Sequence, residues 1–141
     1  MSISKFNGEG YYDPTTYEAL TNVAAEVRAA RFRPLVYICS PYAGDTEANV
    51  VNARRYSRHA VDTGYLPVAP HLLFPQFMKA SDPDERETAM FMNIVLLSKC
   101  AELWVFGDVV SDGMRIEINR AKYKAKPVRY FTTACEEVLA P

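Results

Sequence analysis

The chain alternates two kinds of segment, and this alternation limits its possible folds more than any other feature. Short apolar runs at 35–39 (Leu-Val-Tyr-Ile-Cys), 66–69, 102–106 (Glu-Leu-Trp-Val-Phe) and 127–131 are separated by longer stretches with helical spacing of apolar residues. Runs this short, apolar on both faces, read as strands covered on both sides, which is the habit of parallel sheets. Each run ends in turn-forming residues: Ser40-Pro41-Tyr42-Ala43-Gly44-Asp45 after the first, Gly107-Asp108-Val109-Val110 after the third. Pro67 marks the second run as an edge strand.

The intervening helices have readable ends. Asp13-Pro14 starts a helix, Asp as cap and Pro at the first helical position. Tyr17, Leu20, Val23, Ala24 and Val27 then share one face to about residue 30. A second helix runs from about 45 to 63 and stops at Gly64, with Val50, Ala53, Ala60 and Val61 inward and Ala48, Val51, Arg55 and Arg58 on another line. A third runs from 84 to 100, with Met90, Phe91, Ile94 and Leu97 inward. A fourth starts at Ser111, with Met114, Ile118, Ala121 and Ala125 inward, and residues 132–141 form a short final helix. The order strand–helix–strand–helix–strand–helix–strand predicts an α/β, flavodoxin-like or Rossmann-like three-layer sandwich. It would have four or five parallel strands, the first at the centre, and an extra N-terminal helix. Residues 1–33 are expected to be an arm and helix packed on the core, and residues 34–141 the domain proper.

The bounds fit one domain. The 141 residues are 49% apolar and 23% charged with a net charge of −1, so no global field draws the chain to nucleic acid or to a membrane surface. Three cysteines without C-x-x-C spacing favour reduced thiols in a cytoplasmic protein over a disulfide framework or a zinc site. No apolar run reaches the roughly 20 residues of a membrane span, and no signal peptide opens the chain.

In a parallel sheet with right-handed crossovers, the loops that follow the strands gather at one end, where ligands bind. Loops 40–45, 70–83 and 107–112 therefore converge. The last carries Ser111-Asp112-Gly113-Met114-Arg115-Ile116-Glu117, a helix cap followed by a carboxylate beside the buried face. One reading is a capped surface helix with a solvated glutamate; the other is a partly desolvated acid reaching a cleft. The candidate site is Tyr37, Ser40, Tyr42, Gly44, His71, Ser111, Asp112, Gly113 and Glu117. Loop 70–83 is too apolar for a plain solvent loop and reads as a lid, an interface, or a loop folded on its own hydrophobic residues. No Walker loop, G-x-G-x-x-G or G-x-S-x-G is present, and neither histidine pairs with an obvious serine. No cofactor and no metal are called for. A carboxylate in an apolar setting can instead attack an anomeric carbon.

Tyr37-Ile38-Cys39-Ser40-Pro41, then Ser111-x-Gly113-x-x-x-Glu117-Ile118-x-x-Ala121 and Lys126-Pro127-Val128, resemble the nucleoside 2-deoxyribosyltransferase superfamily over residues 34–131. That superfamily holds base-exchanging transferases and hydrolases of the N-glycosidic bond of nucleoside 5′-monophosphates. The resemblance implies Glu117 as nucleophile at C1′ and Tyr37 as the residue that orients it. Ser111 would contact phosphate, and loop 40–45 would hold substrate. It also implies a nucleoside or nucleotide partner and a homodimer or higher homo-oligomer. Two departures stand out. Asn93 occupies the place of an aspartate that serves the base or sugar, and an amide supplies no catalytic proton. Asp45 puts negative charge where a phosphate would lie, unless Arg54, Arg55 or Arg115 answers it. Three readings follow: an N-glycosidase or deoxyribosyltransferase, a non-catalytic nucleotide-sequestering protein on the same scaffold, and an interaction domain without a ligand.

Overall fold

The computed structural model describes residues 14–141; the expected arm of residues 1–12 with Tyr11 and Tyr12, and the Asp13 cap, lie outside the described residues. The chain divides into two units, residues 1–33 and 34–141. In the first, helix α1 (Pro14–Ala30) opens on its proline and carries the apolar stripe Leu20, Val23 and Val27.

The second unit is a five-stranded sheet in the order β2-β1-β3-β4-β5, from β1 (Leu35–Cys39), β2 (Leu66–Val68), β3 (Glu102–Phe106), β4 (Val128–Phe131) and β5 (Glu137–Val138). The first four are parallel and β5 is antiparallel to β4. The order reverses beside β1, whose neighbours are β2 and β3, so the switch point lies between β1 and β3. β2 is the edge strand that its proline indicated.

Strand alternation divides the core in two. Tyr37, Cys39, Leu103 and Val105 face helices α3 (Pro83–Lys99) and α4 (Asp112–Tyr123), where Leu97, Met114, Ile118 and Ala121 close the layer. Val36, Ile38, Trp104, Phe106 and Phe131 face the other way, against Tyr56 and Ala60 of helix α2 (Thr46–Asp62). The aromatic residues there stack directly: Tyr56 on Phe106 at 4.2 Å and Phe106 on Phe131 at 4.9 Å between ring centres.

The helix caps follow the sequence. Asp45 accepts from Ala48 N at 3.2 Å to start α2, Asp82 accepts from Asp84 N at 2.9 Å to start α3, and Ser111 accepts from Met114 N at 3.2 Å to start α4. Four expectations need correction. Tyr56 is the large buried residue of α2, while Val50 and Val61 are only half buried. Phe91 points out, 68% exposed, because the inner face of α3 runs through Ile94 and Leu97. Ala125 follows the end of α4 at φ 54° and is exposed, so it leaves the buried face with the helix. The tail is a strand, not a helix. Thr132 Oγ1 accepts from the amides of Ala134 and Glu136, turning the chain back. Arg129 then clamps Glu137 at 2.8 and 2.9 Å while lying over the Trp104 ring. Loop 70–83 contains two short 3-10 turns, Pro70–Leu72 and Phe74–Gln76, and leaves Leu73 and Phe77 exposed.

Candidate active site

Glu117 lies in the inner stripe of α4. Met114, Glu117, Ile118 and Ala121 have the i, i+3, i+4, i+7 spacing of a buried helix face, and Glu117 is the one carboxylate among them. It is 7% exposed, deeper than the edge position that the sequence suggested, while its neighbour Ile116 faces outward. A buried carboxylate needs donors. The Tyr37 hydroxyl donates to Oε2 of Glu117, and Cys39 Sγ lies 3.6 Å from Oε1 as a weak second donor. Tyr37 and Cys39 are two apart on β1, so alternation aims both at α4.

Burial pushes the Glu117 pKa up to about 7, and the bonds from Tyr37 and Cys39 pull it down without cancelling that rise. Near neutral pH Glu117 is therefore poised between its two forms. Burial and the neighbouring carboxylate raise both the Tyr37 hydroxyl and the Cys39 thiol, so each remains a protonated donor.

A second polar pair stands beside the first. Ser40, the residue after Cys39, has its Oγ 2.9 Å from His71 Nε2. The sequence showed no such pairing, but the parallel register explains it. Tyr37 aligns with Val68, and three residues on, past the ends of both strands, Ser40 meets His71 of the 3-10 turn Pro70–Leu72. Burial lowers the His71 pKa to about 4, so the ring is neutral at pH 7. Among the described residues no carboxylate bonds its other nitrogen, so the pair lacks the orienting acid of a Ser-His-Asp triad.

On the α2 side of the same sheet end lies a cleft of about 170 Å³, lined by Ser40, Asn49, Asn52, Asp108 and Thr133 over the Tyr56–Phe106 stack. Of the expected site residues only Ser40 lines it.

The profile of the family described as Domain of unknown function (DUF7768) matches residues 34–131, the parallel sheet from the start of β1 to the end of β4. The chain belongs to this family. No curated protein matches it. Among solved structures, it resembles the 2-deoxyribosyltransferase of the psychrotolerant bacterium Bacillus psychrosaccharolyticus, with a TM-score of 0.55 and 18% identity over 75% of this chain and 77% of that one. At that identity the likeness shows a shared fold: a mostly parallel α/β sandwich.

Within this DUF7768 domain the other expected residues have local duties. The Ser111 hydroxyl accepts the α4 cap bond and is solvent-exposed. Asp112 is exposed in the first turn of α4. Gly113 is small because a Cβ there would come within 3.3 Å of Met90 Cε on α3. Gly44 turns the loop at φ 95°, and the Tyr42 carbonyl accepts from Asn49 Nδ2 at 3.0 Å. Asn93 Oδ1 is buried without a hydrogen-bond partner, so it does not join the Glu117 network. Arg55 is committed to the Thr133 carbonyl and Asn52, away from any role as a phosphate partner. Asp45 acts as a cap. Sequence reasoning missed Cys39 as a donor, although its spacing of two from Tyr37 placed it on the same side of β1.

Proposed function

We propose that this protein cleaves the N-glycosidic bond of a nucleoside or nucleoside 5′-monophosphate, with Glu117 as nucleophile and Tyr37 as its positioning partner. The observation that carries this reading is the Glu117 carboxylate, set in an apolar helix stripe and held from below by the Tyr37 phenol. A structural role would be served at least as well there by an apolar side chain, since burying a carboxylate is costly. The likeness of fold to a 2-deoxyribosyltransferase supports the substrate class.

Tyr37 occupies Oε2, which leaves Oε1, with only the weak thiol donor beside it, to attack C1′. The C1′–N bond breaks as the Oε1–C1′ bond forms. The electron pair leaves with the base, which takes its proton from water because Asn93 offers no acid. A water or a second base then attacks C1′ and frees the carboxylate. The Ser40–His71 pair, with Tyr42, Gly44, Ser111, Asp112 and Gly113, supplies the surrounding substrate contacts. The three free cysteines accord with a cytoplasmic setting. Among the described residues no helix is long and apolar enough to cross a membrane.

Incubation with a panel of nucleosides and their 5′-monophosphates, with free base followed by chromatography, tests the reading. Release of base from at least one substrate supports it. Tight binding without release would replace it with nucleotide sequestration, the reading that Asn93 favours.

A further inference from the structure

The cleft between α2 and the loops after β1, β3 and β4 has no part in the Tyr37–Glu117 pair, yet its walls hold a matched set of unused polar groups. Asn49 spends both Nδ2 hydrogens, on the carbonyls of Tyr42 at 3.0 Å and Ala43 at 2.9 Å, which fixes its amide orientation and leaves Oδ1 as a free acceptor. Asn52 Oδ1 accepts from Arg55 Nη2 at 3.0 Å, which leaves its Nδ2 as a free donor. Three residues apart on one helix, the two amides share a face. Both residues line the cleft, so the unspent acceptor of one and the unspent donor of the other are available to a ligand there.

We propose that this cleft binds a nucleobase. An acceptor next to a donor complements the edge of a base that carries an N–H beside a carbonyl or ring nitrogen. The volume of about 170 Å³ suits one planar heterocycle; clefts that hold a whole drug-sized ligand measure roughly 300–1,000 Å³. Asp108 on the opposite wall disfavours a phosphate or other anion, and the nearby Arg55 guanidinium is already engaged. Ser40 connects the cleft to the catalytic pair, because it lines the cleft and directly follows Cys39, the thiol beside Glu117. That the bound ring is the departing base rests on the function proposed above; that the cleft takes a neutral planar heterocycle does not.

Titration calorimetry with adenine, hypoxanthine, cytosine and uracil tests the site. At least one base should bind the wild type, and Glu117→Gln should bind it equally well. Asn52→Asp keeps the bond to Arg55 but turns the free donor into an acceptor, and should weaken binding at least tenfold. Val109→Trp fills the cleft from an exposed position (Val109 is 65% exposed) and should abolish binding even if the first variant folds poorly. Binding of no base by the wild type, or undiminished binding by Val109→Trp, overturns the inference. Base binding here without cleavage of any nucleoside would leave the subsite standing and sink the proposed reaction. Cleavage with no base in the cleft would do the reverse.

Discussion

The Tyr37 hydroxyl donates to Oε2 of Glu117 across 80 residues of chain, joining the first strand of the sheet to the last helix. The bond ties the ionisation of one buried carboxylate to the register of β1, first in the chain and second in the sheet order. Most of the expected behaviour of the protein follows from that link.

Activity should depend on pH through this carboxylate. In the proposed reaction the attacking form is ionised, and the pKa is raised to about 7, so the rate should climb as pH rises through 7 and level off above it. Tyr37→Phe removes a donor that lowers that pKa. The rising limb should move to higher pH, with a loss of roughly fivefold at pH 7 for the first unit of movement. A limb that stays in place in Tyr37→Phe would show that the hydroxyl does not govern the nucleophile.

Stability should carry the opposite sign. Below pH 4.5 Glu117 is neutral in both folded and unfolded chains and costs nothing. Between 4.5 and about 7 the unfolded chain gives up the proton first, so stability falls as pH rises, and the loss is complete above 7. By linkage the loss is on the order of 3 kcal/mol. Glu117→Gln should therefore match the wild type near pH 4 and melt several degrees higher at pH 8. Parallel melting curves for the two proteins across that range would refute the raised pKa.

Cys39 should tune the same carboxylate. Cys39→Ser replaces a weak donor with a stronger one at nearly constant size, 3.6 Å from Oε1 in the thiol form. The Glu117 titration midpoint, read from the carboxyl carbon by NMR, should fall. A rise would mean that the hydroxyl turns away from Glu117 and that Sγ is only a packing atom.

The proposed assembly is a homodimer or larger, supported by the exposed Leu73 (51%) and Phe77 (66%) in the apolar loop after β2. Light scattering at micromolar concentration should give at least twice the monomer mass, and Phe77→Asp should reduce it. A monomeric wild type would contradict the proposal.

The layout of the sheet was legible because Leu35–Cys39 and Glu102–Phe106 are apolar on both faces, which only an interior parallel strand requires. Ser111 was legible as a cap because capping depends on side-chain type and a local offset. The Ser40–His71 pair was not legible, since it depends on the register of β1 with β2 and joins residues 31 apart. The depth of Glu117 was not legible, because a carboxylate by type belongs outside while its place in the Met114–Ala121 stripe belongs inside, and the Tyr37 donor that allows its burial lies 80 residues away. Tyr56 was not legible as the buried residue of α2, because the alanines and valines around it fit a helical face equally well and the Phe106 ring it stacks on is distant in sequence. The strand at Glu137–Val138 depends on the Arg129 clamp, a contact between neighbouring strands that periodicity does not encode.

The central claim is that Glu117 forms a covalent bond to the sugar. The most direct measurement compares base release by wild type and Glu117→Gln on the best substrate of the nucleoside and nucleotide panel, with ligand affinity measured in parallel. Glutamine keeps the shape of the side chain and a partner for Tyr37 but removes the attacking charge. The account predicts a rate loss on the order of a thousandfold or more, equivalent to about 4 kcal/mol of barrier lowering, with affinity largely unchanged. Turnover by Glu117→Gln at the wild-type rate would contradict it.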